Sequence, residues 1–150
     1  MDIKDLKDKL NSKFPKEISN WEEKNPRRLY CRINPAALRA AAEELFRVLG
    51  FRFNIASAVN TLEGFQILYH FSLDKTGLIL SLRVKLGKKN PEVDSIADLV
   101  PAADWIEREI YELFGIKFKG RPDPERLLLS EDWPEGVFPL RKDFQAFDQK

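Results

Sequence analysis

The chain has little of what metal and redox sites are made from. Its 150 residues contain one cysteine, Cys31, and one histidine, His70. A single cysteine excludes an internal disulfide and fits a reducing compartment. An iron–sulfur cluster usually takes four thiolates, and a structural zinc takes four Cys or His ligands. Neither can be assembled from this inventory. Charge of one sign is also lacking: 25 Lys and Arg stand against 24 Asp and Glu, a formal net charge of +1. That balance gives no strong pull toward nucleic acid or anionic lipid. No apolar run approaches the ~20 residues that a membrane span requires. Residues 1–10 alternate Asp and Lys with Ile3, Leu6 and Leu10, unlike the uninterrupted apolar core of a signal peptide. No glycine-rich phosphate loop precedes a helix, and no Gly-x-Ser-x-Gly elbow occurs. These lacks predict a protein that is cytosolic, or that reaches a membrane through something else, and that has no active site of its own.

What is present is the material of one ordinary folded domain, 43% hydrophobic and 33% charged. A helix is predicted from Asp2 to about Lys13, capped by Asp2, with Ile3, Leu6, Leu10 and Phe14 on one face. Arg28 to Ile33 reads as a strand. Asn34-Pro35 opens a second helix with the stripe Leu38, Ala41, Ala42, Leu45 and Leu49. Arg39–Glu43 and Glu43–Arg47 are expected as ion pairs one turn apart, and Gly50 as the C-terminal cap. Three strands with a period of two follow: Phe51, Phe53, Ile55, Ser57 and Val59; Phe65 to Leu73; and Leu78 to Leu86. Short connections make them an antiparallel meander, which the Arg28–Ile33 strand is expected to join. A short helix is predicted over Asp94–Leu99. The fold class is therefore α+β: a two-layer domain with an antiparallel sheet of about four strands covered by helices, followed by an extended C-terminal arm. The predicted division is 1–115 for the domain and 116–150 for the arm.

The last predicted helix, from near Pro101 to Phe114, carries most of the information. At 100° per residue, Trp105, Ile106, Ile110, Leu113 and Phe114 gather on the side expected to pack on the sheet. Asp104, Arg108 and Glu112 form a ladder of alternating charge opposite, with Glu107 and Glu109 on the two edges of the apolar stripe. Two readings of the charged face are open. It is a solvated surface whose pairs contribute only ~0.3–0.5 kcal/mol each. Or partner loops cover it, and the charges must then satisfy one another or be satisfied by Arg or backbone groups of the arm or the partner. Glu107 and Glu109 diverge on the helix, so they do not make an acid–base pair. His70 falls alone on the wetter face of its strand.

Beyond Gly115 the sequence loses its period. Residues 116–150 hold eleven large apolar side chains and four prolines, Pro122, Pro124, Pro134 and Pro139, without a helical or strand pattern. Such a segment, stiffened by proline, suits adhesion. Residues 116–133 are expected to wrap the home sheet, and 134–147 to lie on a neighbour. Leu140 and Phe144 flank the Arg141-Lys142-Asp143 triplet, as apolar anchors around a register-setting charge cluster would.

The combined motif resembles a known family. Glu107-Arg108-Glu109, Glu112, Leu113, Phe114, Gly115 and Ile116, with the closing Pro139 to Phe144, are similar to the 30 kDa subunit family of respiratory complex I, the NADH dehydrogenase of respiratory chains. The same family supplies a subunit to energy-converting nickel–iron hydrogenases. Many members have Gly-His-Pro where this chain has Gly120-Arg121-Pro122, so a proton-handling role for that histidine does not transfer. The resemblance implies a non-catalytic hydrophilic subunit. Its partners would be a large quinone-site or nickel–iron subunit and a small iron–sulfur subunit. Iron–sulfur, quinone or nickel–iron sites would lie in those partners and no cofactor in this chain. It also implies a peripheral place on the cytoplasmic side of the cell membrane, held through partners. Trp133-Pro134-Glu135-Gly136-Val137 looks closer to the hydrogenase-type members. The expected partner-interface residues are Glu107, Arg108, Glu109, Glu112, Arg121, Pro122, Arg126, Trp133, Phe138, Leu140, Arg141, Lys142, Asp143 and Phe144.

Two other function classes compete. A strand–helix–strand domain with exposed aromatics could bind single-stranded nucleic acid, but the charge is near zero and no aromatic-rich strand signature is present. A stand-alone enzyme would need cooperating side chains that the sequence does not display.

Overall fold

The computed structural model describes residues 1–121 and 125–146, so Pro122 and Phe147 lie outside the described residues. Helix α1, Ile3–Lys13, is fixed at its start by a capping box. Asp2 accepts from the Asp5 amide at 2.8 Å, and Asp5 accepts from the Asp2 amide at 3.2 Å. Leu6 and Leu10 are wholly buried. Two strands follow, β1 (Ile18–Asn25) and β2 (Arg28–Ile33). Asn34 then caps a helical segment by accepting from the Ala36 amide at 3.1 Å. The segment opens with a 3-10 turn, continues as α2 (Leu38–Glu43) and ends in a π turn over Glu44–Val48. Of the two ion pairs expected there, Arg47–Glu43 forms at 2.9 Å. Arg39 instead grips Asp98 with two bonds of 2.5 and 2.8 Å.

Strands β3 (Arg52–Asn60), β4 (Phe65–Leu73) and β5 (Leu78–Leu86) form the expected antiparallel meander. The sheet has five strands in the order β1-β2-β5-β4-β3, and it is mixed. Two details depart from the sequence reading. The first is β1, a mostly exposed edge strand whose Ser, Asn and Glu residues give no strand pattern. The second is that β2 runs parallel to β5. The helical segment after β2 carries the chain back to its starting end before β3, so β2 and β3 point the same way, and β5 with them.

One hydrophobic cluster unites α1, α2, the inward residues of the strands and the last helix, α3 (Ala103–Phe114). On the opposite face Tyr30, Leu68, His70 and Arg83 are half-buried and Lys85 is exposed. This is a two-layer α+β fold. Strand β3 breaks its own alternation. Phe53 pairs with Phe71, but Ile55 pairs with His70, which leaves Asn54 as a bulge. Beyond it Ala56 turns inward, while Ile55 and Val59, expected in the core, are exposed.

The expected helix over Asp94–Leu99 is not formed. Strand β6 (Glu92–Asp94) pairs in parallel with β7 (Lys117–Lys119), and a turn follows over residues 97–99. The Ile96 amide is taken by the Glu107 carboxylate at 2.8 Å. Ile116 and Phe118, the first apolar residues of the arm, are buried in the domain. Among the described residues no helix is long and apolar enough to cross a membrane.

Candidate partner-docking site

Helix α3 buries Ala103, Glu107, Ile110, Glu112 and Phe114. Its rotation differs from the sequence reading. Trp105, expected on the sheet, is 69% exposed, whereas two carboxylates expected on edges or outside are covered. The helix stops at Gly115, whose left-handed φ of 71° lets its amide donate to the Tyr111 carbonyl at 2.8 Å.

Glu107 is buried between the helix and the turn after β6. Its carboxylate accepts from Ser95 Oγ at 2.5 Å, from the Ile96 amide at 2.8 Å and from Arg121 Nη1 at 3.2 Å. Arg121 also pairs with Asp104 at 2.6 Å. Burial pushes the Glu107 pKa above the ordinary carboxylate value, against the opposing pull of Ser95, Ile96 and Arg121. The Tyr69 hydroxyl is fully buried, and its pKa is raised, first by burial and then by the Glu107 charge. Arg121 thus bridges a buried acid and a half-buried one.

The next two motif charges hold the arm. Arg108 Nη2 donates to the carbonyls of Glu125 at 3.2 Å and Arg126 at 3.4 Å. Glu112 accepts from the amides of Leu127 at 3.0 Å and Leu128 at 2.8 Å. A cation one turn before an anion therefore takes two carbonyls and then two amides of an irregular backbone. Those peptide groups have no sheet or helix to satisfy them, and charge-assisted bonds replace it. Within the described residues this chain's own arm covers this face of the helix. The Asp104–Arg108–Glu112 ladder is not formed, since each member is committed elsewhere.

Further along, Arg126 donates to the carbonyls of Ser130 and Trp133. Trp133 Nε1 donates to the Val137 carbonyl at 2.8 Å, and its ring stacks on Phe144 at 6.0 Å. The closing motif then returns to the end of α3. The Leu140 amide donates to the Leu113 carbonyl at 3.1 Å, and Arg141 Nε donates to the Phe114 carbonyl at 2.6 Å. The Arg141 guanidinium lies over Phe138 at 4.5 Å and Phe65 at 5.1 Å. The Lys142 amide donates to Asn60 Oδ1 at 2.8 Å. Gly115 is required twice: a Cβ there would meet Phe138 at 2.5 Å and Arg141 at 2.6 Å. Residues 138–142, assigned to a neighbour from sequence, are seated on the home domain, with Leu140 still half exposed. Asp143 is exposed.

Glu109 stands apart. It is half-buried and has no hydrogen bond or ion pair among the described residues. Sequence reasoning missed Ser95, Asn60 and Phe65 as arm or motif partners; nothing local marks them, because each acts across a long stretch of chain. His70 lies on the opposite sheet face, 2.7 Å from Ser81 Oγ, and its pKa is lowered by burial and then by Arg28.

Comparison with known proteins completes the picture. The pattern of the family described as "Respiratory-chain NADH dehydrogenase, 30 Kd subunit" matches residues 31–150. The chain belongs to that family. Among its relatives is a subunit of the F(420)H(2) dehydrogenase of Methanosarcina mazei, 31% identical over 153 residues that span all of this chain and 96% of that protein. Formate hydrogenlyase subunit 5 of Escherichia coli is 31% identical over 147 residues, 94% of this chain but only 26% of that longer polypeptide. A chain of the membrane-bound sulfane sulfur reductase, an archaeal respiratory membrane complex, shares the fold. It superposes with a TM-score of 0.82 at 22% identity, covering 95% of this chain and 85% of that one. Relatives in the family are subunits of an F(420)H(2) dehydrogenase, a formate hydrogenlyase and NADH-quinone oxidoreductases, which implies partner subunits. Nothing in them supports nucleic-acid binding.

Proposed function

We propose that the chain is a non-catalytic hydrophilic subunit of a complex-I-like NADH:quinone oxidoreductase or a related membrane-bound hydrogenase. It braces the large redox subunit and a small iron–sulfur subunit. The observation that carries this is the clasp of Arg108 and Glu112 on residues 125–128. Two of the motif's four helix charges are devoted to shaping the arm rather than to gathering reactive groups. Formate hydrogenlyase subunit 5 supports the same reading, since there the homologous region is about a quarter of a longer polypeptide. Units that are fused in one protein and separate in another commonly touch. With one cysteine and one histidine in its sequence, the chain leaves iron–sulfur, quinone or nickel–iron sites to its partners. It is held at the cytoplasmic side of the membrane through those partners.

Affinity purification of the tagged full chain from solubilised native membranes tests this. Co-purification of a large redox subunit and an iron–sulfur subunit is expected. A chain ending at Trp133 lacks the Arg141 latch and should lose both. If that shortened chain retains them, the bracing role of the arm is wrong.

A further inference from the structure

Three of the large exposed apolar side chains converge on one groove. Ile55, Trp105 and Leu128 are 51%, 69% and 59% exposed. With Phe53 and Ile106 they line a cavity of about 430 Å³ between β3, α3 and the arm. Each wall has a separate origin. Strand β3 lies at the edge of the sheet, and the Asn54 bulge turns Ile55 outward. Trp105 leaves the core because α3 is rotated to turn Ala103, Glu107, Ile110 and Phe114 inward. Leu128 is set in place when its amide bonds Glu112. The groove thus exists only when the motif has ordered the arm. Among the described residues its single charged lining residue is Glu109, the one acid of the motif that holds nothing within the described chain. A tryptophan in an apolar cleft edged by one unspent carboxylate is the composition of an interface anchor point.

We propose that this groove receives an apolar side chain of a neighbouring subunit, adjacent in that subunit's sequence to a Lys or Arg that pairs with Glu109. The proposal rests on the subunit reading above and names the surface used. Charge selects the occupant. A second copy of this chain docked by two-fold symmetry would bring the two Glu109 carboxylates toward each other, which opposes association. The arm is already committed as a wall. A basic, apolar segment satisfies both the carboxylate and the exposed rings.

The test places a photo-crosslinking p-benzoylphenylalanine at position 105 of the full chain, and in a separate chain at position 140, each within the purified native complex. The probe at 105 should crosslink a peptide of a neighbouring subunit that carries a large apolar residue beside Lys or Arg. Glu109→Lys should cut that crosslink roughly tenfold or more, as expected for a reversed charge at an apolar contact. Its melting temperature should match the unaltered chain, because the side chain has no internal partner. Crosslinking at 105 to a second copy overturns the proposal, as does an undiminished yield with Glu109→Lys. If 105 captures nothing while 140 captures a neighbouring subunit, the groove assignment falls and the subunit reading stands. If neither position captures another subunit, the subunit reading itself falls.

Discussion

The β4–β5 hairpin and the arm are both built from apolar residues, and they are held in opposite ways. In the hairpin every second side chain of β5, Leu78, Leu80, Leu82, Val84 and Leu86, is buried, and the ladder pairs residue for residue from Phe65↔Leu86 to Leu73↔Leu78. Period and partner coincide, so local pattern decides the structure. In the arm no ladder exists between residues 125 and 144. Its backbone is fixed at a few points by Arg108, Glu112, Arg141 and Asn60. The comparison teaches that the charged motif of α3 does for the arm what backbone pairing does for the sheet. Global stability should reside in the first region, and the shape of the outer surface in the second.

The sharpest break of that contrast is Leu82→Ala. Leu82 is fully buried in β5, and the truncation should cost about 2–5 kcal/mol in urea unfolding. Gly115→Ala comes next. It places a Cβ at positive φ and against Phe138 and Arg141, so a loss of about 1–3 kcal/mol is expected, accompanied by faster proteolysis within 125–146. Glu112→Ala should leave two amides without acceptors, at about 1–3 kcal/mol locally. The urea midpoint should move little while the arm becomes protease-sensitive; an equal loss in hairpin and arm would show that the two regions are one cooperative unit. The smallest effect is in pH dependence. The folded-state pKa of Glu107 is raised by burial, so its contribution to stability is fully present below the unfolded carboxylate value. It is lost as pH rises through the raised folded value. Glu107→Gln should flatten that portion of the stability–pH curve, and an unchanged slope would assign it to another group.

Much of this fold was legible wherever one physical rule acted alone. Asp2 before an apolar stripe gave α1, strict alternation gave β4 and β5, and Gly115 gave the end of α3. The misreadings occur where two rules compete. Strand β1 is an edge strand with polar residues, so burial never imprinted a pattern on it. The bulge at Asn54 shifts phase inside β3, and alternation cannot reveal an inserted residue. Trp105 ranked as core by hydrophobicity, yet α3 turns Ala103, Glu107, Ile110 and Phe114 inward, where bonds from Ser95 and Ile96 offset the desolvation of Glu107, while the arm covers Glu112 through Leu127 and Leu128. Those partners are distant in sequence, so spacing within the helix could not show them. The motif residues themselves were identifiable; their commitment to the chain's own arm was not.

Amide hydrogen exchange on the isolated full chain tests the central claim most directly. If Arg108, Glu112 and the Leu113–Phe114 carbonyls clasp the arm, the amides of Leu127, Leu128 and Leu140 are protected well beyond free-chain rates, and Glu112→Ala removes the protection at 127 and 128 alone. Free-chain exchange at all three positions in the unaltered protein would contradict the account.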